Sequence, residues 1–94
     1  ADYEIEAVSK GIAVLEALEG TAFEPVRQSR IEQRTGLSRD LVMRTLRTLR
    51  QNGYAIQNER GEWSIGARFV RFAASVTRHK GILNSHLARD VSRK

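Results

Sequence analysis

The chain has 94 residues, 40% of them hydrophobic, which suits one domain with a single economical core and excludes a wholly disordered polymer. It has no cysteine, so disulfides, thiolate catalysis and cysteine-based zinc sites are excluded. The formal net charge is +5 and unevenly spread: residues 1–26 hold six acidic and one basic residue, net −5, whereas residues 27–94 hold fifteen basic and five acidic, net +10.

The first signal along the chain is Val8, Ile12, Leu15 and Leu18 at helical spacing, which predicts a helix over residues 8–19 behind an N-terminal extension of residues 1–7. Gly20 supplies its stop. Thr21 to Val26 reads as a loop with a short extended piece around Val26. A short helix over 28–34 follows, with Ile31 inward, and Thr35-Gly36-Leu37 makes the turn. Ser38 caps a third helix, Arg39–Gln51, whose apolar stripe is Val42, Leu46 and Leu49 with Thr45 beside it. Ser9 and Ser29 are candidate caps for the first two helices.

Asn52-Gly53 ends the third helix, and residues 54–58 read as a strand with Tyr54 and Ile56 on one face. Glu59-Arg60-Gly61 is a turn, and residues 62–65 form the return strand with Trp63 and Ile65 on one face, the inward one, where a core position for Trp63 is favoured over stacking on a base. A last long helix over 67–79 carries a stripe of Phe69, Phe72, Ala73 and Val76, with His79 and Lys80 at the negative end of its dipole and Gly81 at the exit. Leu83, Leu87 and Val91 suggest a short helix within residues 82–94. The fold class is therefore mainly α with a small β-hairpin: a winged helix-turn-helix over 8–66, followed by a long linker helix and tail over 67–94.

This order places charge where a groove-reading helix needs it. With Val42 toward the core, a 100° step puts Asp40, Arg44, Arg47 and Gln51 on the opposite face of the third helix, Met43 and Arg50 on one flank and Thr48 on the other. The helix spans about 20 Å at ~1.5 Å per residue and fits the ~12 Å major groove of double-stranded DNA. The candidate DNA-binding residues are Arg27, Ser38, Arg39, Asp40, Met43, Arg44, Arg47 and Arg60. Arg44 and Arg47 are candidates for base edges, since the guanidinium fork matches guanine. Asp40 either steers Arg44 through an i,i+4 pair or only complements the helix dipole. Met43 either touches a thymine methyl or packs. Arg60 at the hairpin tip enters the minor groove, holds a phosphate, or is a solvated turn residue. Arg27 and Arg30 lie where they could clamp a phosphate.

Other chemistry finds little support. His79 and His86, with Gly81 between them, do not form a metal pair. No Ser/His/Asp grouping or phosphate-cradling glycine loop occurs, so no enzyme, cofactor or small-molecule effector site is expected in this segment. No apolar run approaches the ~18 residues of a membrane span and no signal-peptide core opens the chain, so a cytoplasmic location is expected. Two other readings remain open for the arginine face: a protein-interaction module with an acidic partner, and RNA binding.

The stretch from Val8 to Val76 resembles the N-terminal DNA-binding domain of IclR-type transcriptional regulators. The resemblance rests on Val14-Leu15-Glu16, Arg34-Thr35-Gly36-Leu37, Val42-x-Arg44-x-Leu46-x-Thr48-Leu49, Gly53-Tyr54 and Glu62-Trp63-Ser64-Ile65-Gly66-Ala67-Arg68. Departures are Ala7 where Ser is usual, Arg27 and Gln28 where Thr and Leu are usual, Glu32 in place of a small Ala, and Asn52 in place of Leu. The resemblance implies a larger effector-binding domain after the linker helix, so that the chain is either an excised domain or a small stand-alone regulator. It also implies action as a dimer or tetramer on partly palindromic sites. A homodimer is accordingly expected, with Phe69, Phe72, Ala73 and Val76 as its contact; closure of the domain's own core is the other fate for these side chains.

Overall fold

The computed structural model describes residues 4–77, with side chains through residue 75. Its elements are α1 (Glu6–Glu16), α2 (Gln28–Thr35), α3 (Arg39–Gln51), β1 (Ala55–Gln57), β2 (Trp63–Ile65) and α4 (Ala67–Thr77). The order is that of a winged helix-turn-helix. The expectations for His79, His86, Lys80, Gly81 and residues 82–94 lie outside the described residues.

α1 begins two residues before the expected start, with Ile5 at the N-cap and no side-chain acceptor there. Ser9 does not cap it; its hydroxyl donates to Glu4 Oε2 at 2.6 Å. The α-helix ends at Glu16, and the chain tightens through Leu18 N–H to Leu15 O and Glu19 N–H to Glu16 O, both 3.0 Å. Gly20 then turns the chain at φ +81°, in the left-handed region expected of a stop. The residues whose spacing predicts the helix are not all buried. Val14, Ala17 and Leu18 enter the core, whereas Val8 and Ile12 are about half exposed, at 55% and 49%. The apolar arc of α1 is wider than one stripe, so half of it packs inward and Ile5, Val8 and Ile12 face out.

α2 and α3 meet at a left-handed Gly36, φ +72°, whose N–H donates to Glu32 O at 2.8 Å. Ser29 plays no capping part, because the N-cap of α2 is Arg27, without a side-chain bond. Ser38 caps α3 as expected, its hydroxyl accepting from Leu41 N–H at 3.2 Å. Two departures from the family pattern compensate each other: Gln28 Nε2 donates to Glu32 Oε2 at 3.2 Å and to Arg39 O at 3.1 Å, so the carboxylate is partnered where Ala would pack. Asn52 is accommodated by its own Nδ2 donating to Thr48 O at 2.8 Å.

The core consists of Val14, Ala17, Leu18, Ile31, Val42, Leu46, Ala55 and Trp63, so each of the first three helices and both strands contributes. β1 and β2 pair antiparallel with Ala55 opposite Ile65 and Gln57 opposite Trp63. Val26 is indeed extended, and it forms a bridge to Trp63 with both bonds made, at 2.9 and 2.6 Å. Tyr54 and Ile56 share a face by alternation, and the inward face is the other one: Ala55 is buried, while Ile56 is 53% exposed and Tyr54 half-buried. The register decides this, because Ala55 lies on the face shared with Trp63 and Ile65 and alternation turns Ile56 away.

Two small residues lock the wing to the helices. Thr21 is fully buried, donating through Oγ1 to Leu18 O at 2.5 Å and accepting from Ile65 N–H at 2.9 Å. Gly66 lies so close to the preceding strand that a Cβ there would be 2.8 Å from Ala55 N and closer still to Gly53 O. α4 leaves from this point with Phe69 half-buried, and with Val70 and Phe72 at 57% and 64% exposure.

Thr21→Val keeps the shape but leaves the Ile65 N–H without its acceptor, so chemical denaturation should show a loss of ~1–3 kcal/mol. Thr21→Ser keeps the hydroxyl and should lose less. Equal stability of Thr21→Val and wild type would show that the bond carries nothing.

Candidate nucleic-acid interface

The candidate interface centres on α3 because its two faces are chemically opposite. Val42 and Leu46 are fully buried, and Leu49 packs partly against the core. Arg39, Asp40, Arg44, Arg47, Thr48 and Gln51 are exposed, and Met43 is half-buried on the flank. Burial of the apolar stripe therefore fixes the rotation of the helix and directs the charged face to solvent.

Arg44 Nε donates to Asp40 Oδ2 at 2.9 Å, the i,i+4 pair anticipated from spacing. Both side chains are about two-thirds exposed, at 66% and 69%, so the pair adds little stability. Its effect is geometric. Engaging Nε leaves the two terminal nitrogens of Arg44 directed along the held plane, the pair of donors a bidentate acceptor needs. Among the described residues the other ion pair is Lys10–Glu6, at 2.7 Å. The hydrogen bond from Lys10 draws the Glu6 carboxyl below its usual range. Arg27, Arg30, Arg39, Arg47 and Arg60 are therefore exposed and paired with no described carboxylate.

α2 contributes at one edge. Arg27 and Arg30 line a shallow depression with Pro25, Ser29 and Gln33. The Gln28 side chain reaches across to the Arg39 carbonyl, tying the start of α2 to the start of α3.

The wing contributes Arg60, in the loop of residues 58–62. That loop is organised by Asn58, whose Oδ1 accepts from Arg60 N–H and Glu62 N–H, both at 2.9 Å. Gly61 closes it at φ +80°. Gln57 was not singled out from the sequence, and Arg50 was placed only on the flank of the outward face of α3. Gln57 takes a hydrogen bond from Arg50 Nη1 at 2.8 Å and donates to Gly61 O at 3.2 Å. Arg50 also places Cζ 5.6 Å from the centroid of the Trp63 ring. The available signal was the pairing of Gln57 with an inward Trp63, which needed the strand register to be known.

Phe72 lines a depression with Tyr54, Arg68 and Arg71. Phe69 and Ala73 line a groove of ≈ 650 Å³ together with Ile12, Leu15 and Val70, between α1 and α4. The side chain of Val76 lies outside the described set. Among the described residues, no helix is long and apolar enough to cross a membrane.

The family model of the IclR helix-turn-helix domain matches residues 7–59. The chain belongs to the IclR family. That family is one of DNA-binding transcription regulators, and the matched residues include all of α2 and α3 and the start of the wing. Solved structures agree. HmgR of Pseudomonas aeruginosa superposes with a TM-score of 0.67 at 25% identity over 76% of this chain and 29% of its own. An IclR family transcriptional regulator of Brucella abortus superposes at 0.68 with 25% identity, over 79% of this chain and 28% of its own. The Agobacterium tumefaciens repressor BlcR, at 18% identity, shares the fold with a TM-score of 0.68 over 94% of this chain and 36% of its own. The IclR chain described here thus spans about a third or less of the length of these structures. No curated protein matches its sequence.

Proposed function

We propose that this IclR domain binds double-stranded DNA sequence-specifically, with α3 in the major groove and the wing on the adjacent groove or backbone. The observation that carries the reading is the exposed row of Arg39, Arg44 and Arg47 on the second helix of the motif, with Asp40 holding the plane of Arg44. Arg44 and Arg47 read base edges; Arg27, Arg39 and Arg60 hold phosphates; Ser38 and Met43 border the contact. The deep, narrow major groove of A-form RNA does not admit such a helix, which favours duplex DNA over RNA. Residues 8–66 form the DNA-binding unit in this reading, and α4 leaves it as a linker helix.

The same domain is proposed to act as a homodimer through its apolar face. Ile5 at the N-cap of α1, Val8 and Ile12 on α1, and Val70 and Phe72 on α4 are each about half exposed or more, and α4 places Phe72 outside the domain's own core. A two-fold pair would present two copies of α3 to one side of the duplex, on half-sites related by inverted symmetry.

Binding to random duplex DNA should weaken with salt, log affinity falling with log salt at ~0.9 per neutralised phosphate. A flat salt response would sink the DNA reading and leave the protein-partner alternative. Phe72→Glu should leave a folded monomer by sedimentation at micromolar concentration, with its thermal unfolding little changed. An unfolded variant would mean that Phe72 serves the core, and a wild-type chain that stays monomeric on DNA would remove the dimer.

A further inference from the structure

The wing rests on little structure of its own. β1 and β2 are three residues each, and short two-stranded hairpins are marginal without further support. The loop of residues 58–62 is bonded within itself: Asn58 Oδ1 accepts from the backbone N–H of Arg60 and Glu62, and its Nδ2 donates to Glu62 Oε1 at 2.9 Å. What those bonds leave open is the angle of the tip relative to α3. Arg50, in the last turn of α3, reaches across that gap. Its Nη1 donates to Gln57 Oε1, and its guanidinium lies over the buried Trp63 ring. The Gln57 amide continues the connection by donating through Nε2 to the Gly61 carbonyl, next to Arg60. A primary amide accepts and donates at once, so this neutral side chain couples a charged helix to a backbone oxygen in the tip.

We infer that Arg50 and Gln57 are positioning residues: the Arg50–Gln57–Gly61 connection, braced on Trp63, sets where the wing tip presents Arg60 to the phosphate backbone. The inference rests on the DNA reading above and deepens it. It also assigns Arg50 a different task from its neighbours on α3, since its guanidinium is engaged with the wing and not directed to DNA.

Because Gln57 is uncharged, its loss removes no charge from the protein, and this makes the test sharp. Gln57→Val keeps strand propensity but has neither the acceptor nor the donor. The salt slope of duplex binding should then fall by ~0.9, the same drop as in Arg60→Ala, since one phosphate contact is lost in each. In the double variant the slope should fall no further than in Arg60→Ala alone. Preference among DNA sequences should be unchanged. Arg50→Lys, which keeps the charge and the stem but not the planar fork, should show the same drop and guards against a folding defect in Gln57→Val. A wild-type slope in Gln57→Val and Arg50→Lys, with a lowered slope in Arg60→Ala, overturns the inference and leaves the DNA reading standing. Additive losses in the double variant also overturn it, since Gln57 would then touch DNA itself. A wild-type slope in Arg60→Ala removes the wing contact from the proposed function and the inference with it.

Discussion

Trp63 is the residue on which the arrangement depends. Its backbone closes two ladders at once, pairing with Val26 on one side and lying opposite Gln57 on the other. Its ring is 3% exposed in the core shared with Val14, Leu18, Ile31, Val42 and Leu46, and its outer side carries the Arg50 guanidinium. A large aromatic in this place joins the loop before α2, the wing and the end of α3 into one body. Without it the hairpin would have one buried alanine and a half-buried isoleucine to hold it against the helices.

Charge is distributed along the same division. Of the acidic residues in the first 26 positions, Glu6 and Glu16 lie on α1 and Glu19 and Glu24 in the loop that follows, while the arginines of α2, α3 and the wing tip carry the positive surface. Such an asymmetry gives the domain a preferred orientation in the field of a polyanion before any contact forms. Burial of Val42 and Leu46 sets the rotation of α3, and therefore which arginines lead. The Asp40–Arg44 pair then restricts one of them locally, at little gain in stability. Packing, long-range charge and a single surface pair thus act at successively shorter range on the same helix.

Much of this was legible from residue order. The bounds of α3 followed from Ser38 before an amphipathic run and Asn52-Gly53 after it, signals that are local in sequence. The extended piece at Val26, the turn at Gly36 and the core position of Trp63 were legible for the same reason. Features decided by distant partners were not. The buried face of α1 depends on where α2 and α3 lie, so the spacing of Val8, Ile12, Leu15 and Leu18 predicted a helix without showing that Val14 is buried and Val8 and Ile12 half exposed. The inward face of β1 depends on its register with β2, so alternation alone grouped Tyr54 with Ile56 and did not show that Ala55 is the buried residue. Thr21 looked like a loop residue because its acceptor role is filled by Ile65, 44 positions away. Gln57 and Asn58, which organise the wing tip, gave no periodic signal at all.

The central claim is that the outward face of α3 reads bases. Selection of bound sites from random duplex DNA, run with wild type, Arg44→Ala and Arg47→Ala, tests it most directly. The account predicts an enriched site for the wild type, and relaxed preference at one base-pair position in at least one variant, matching the ~1–3 kcal/mol of discrimination in a bidentate arginine–guanine contact. No enriched site, or the same site at full stringency from all three proteins, would contradict it.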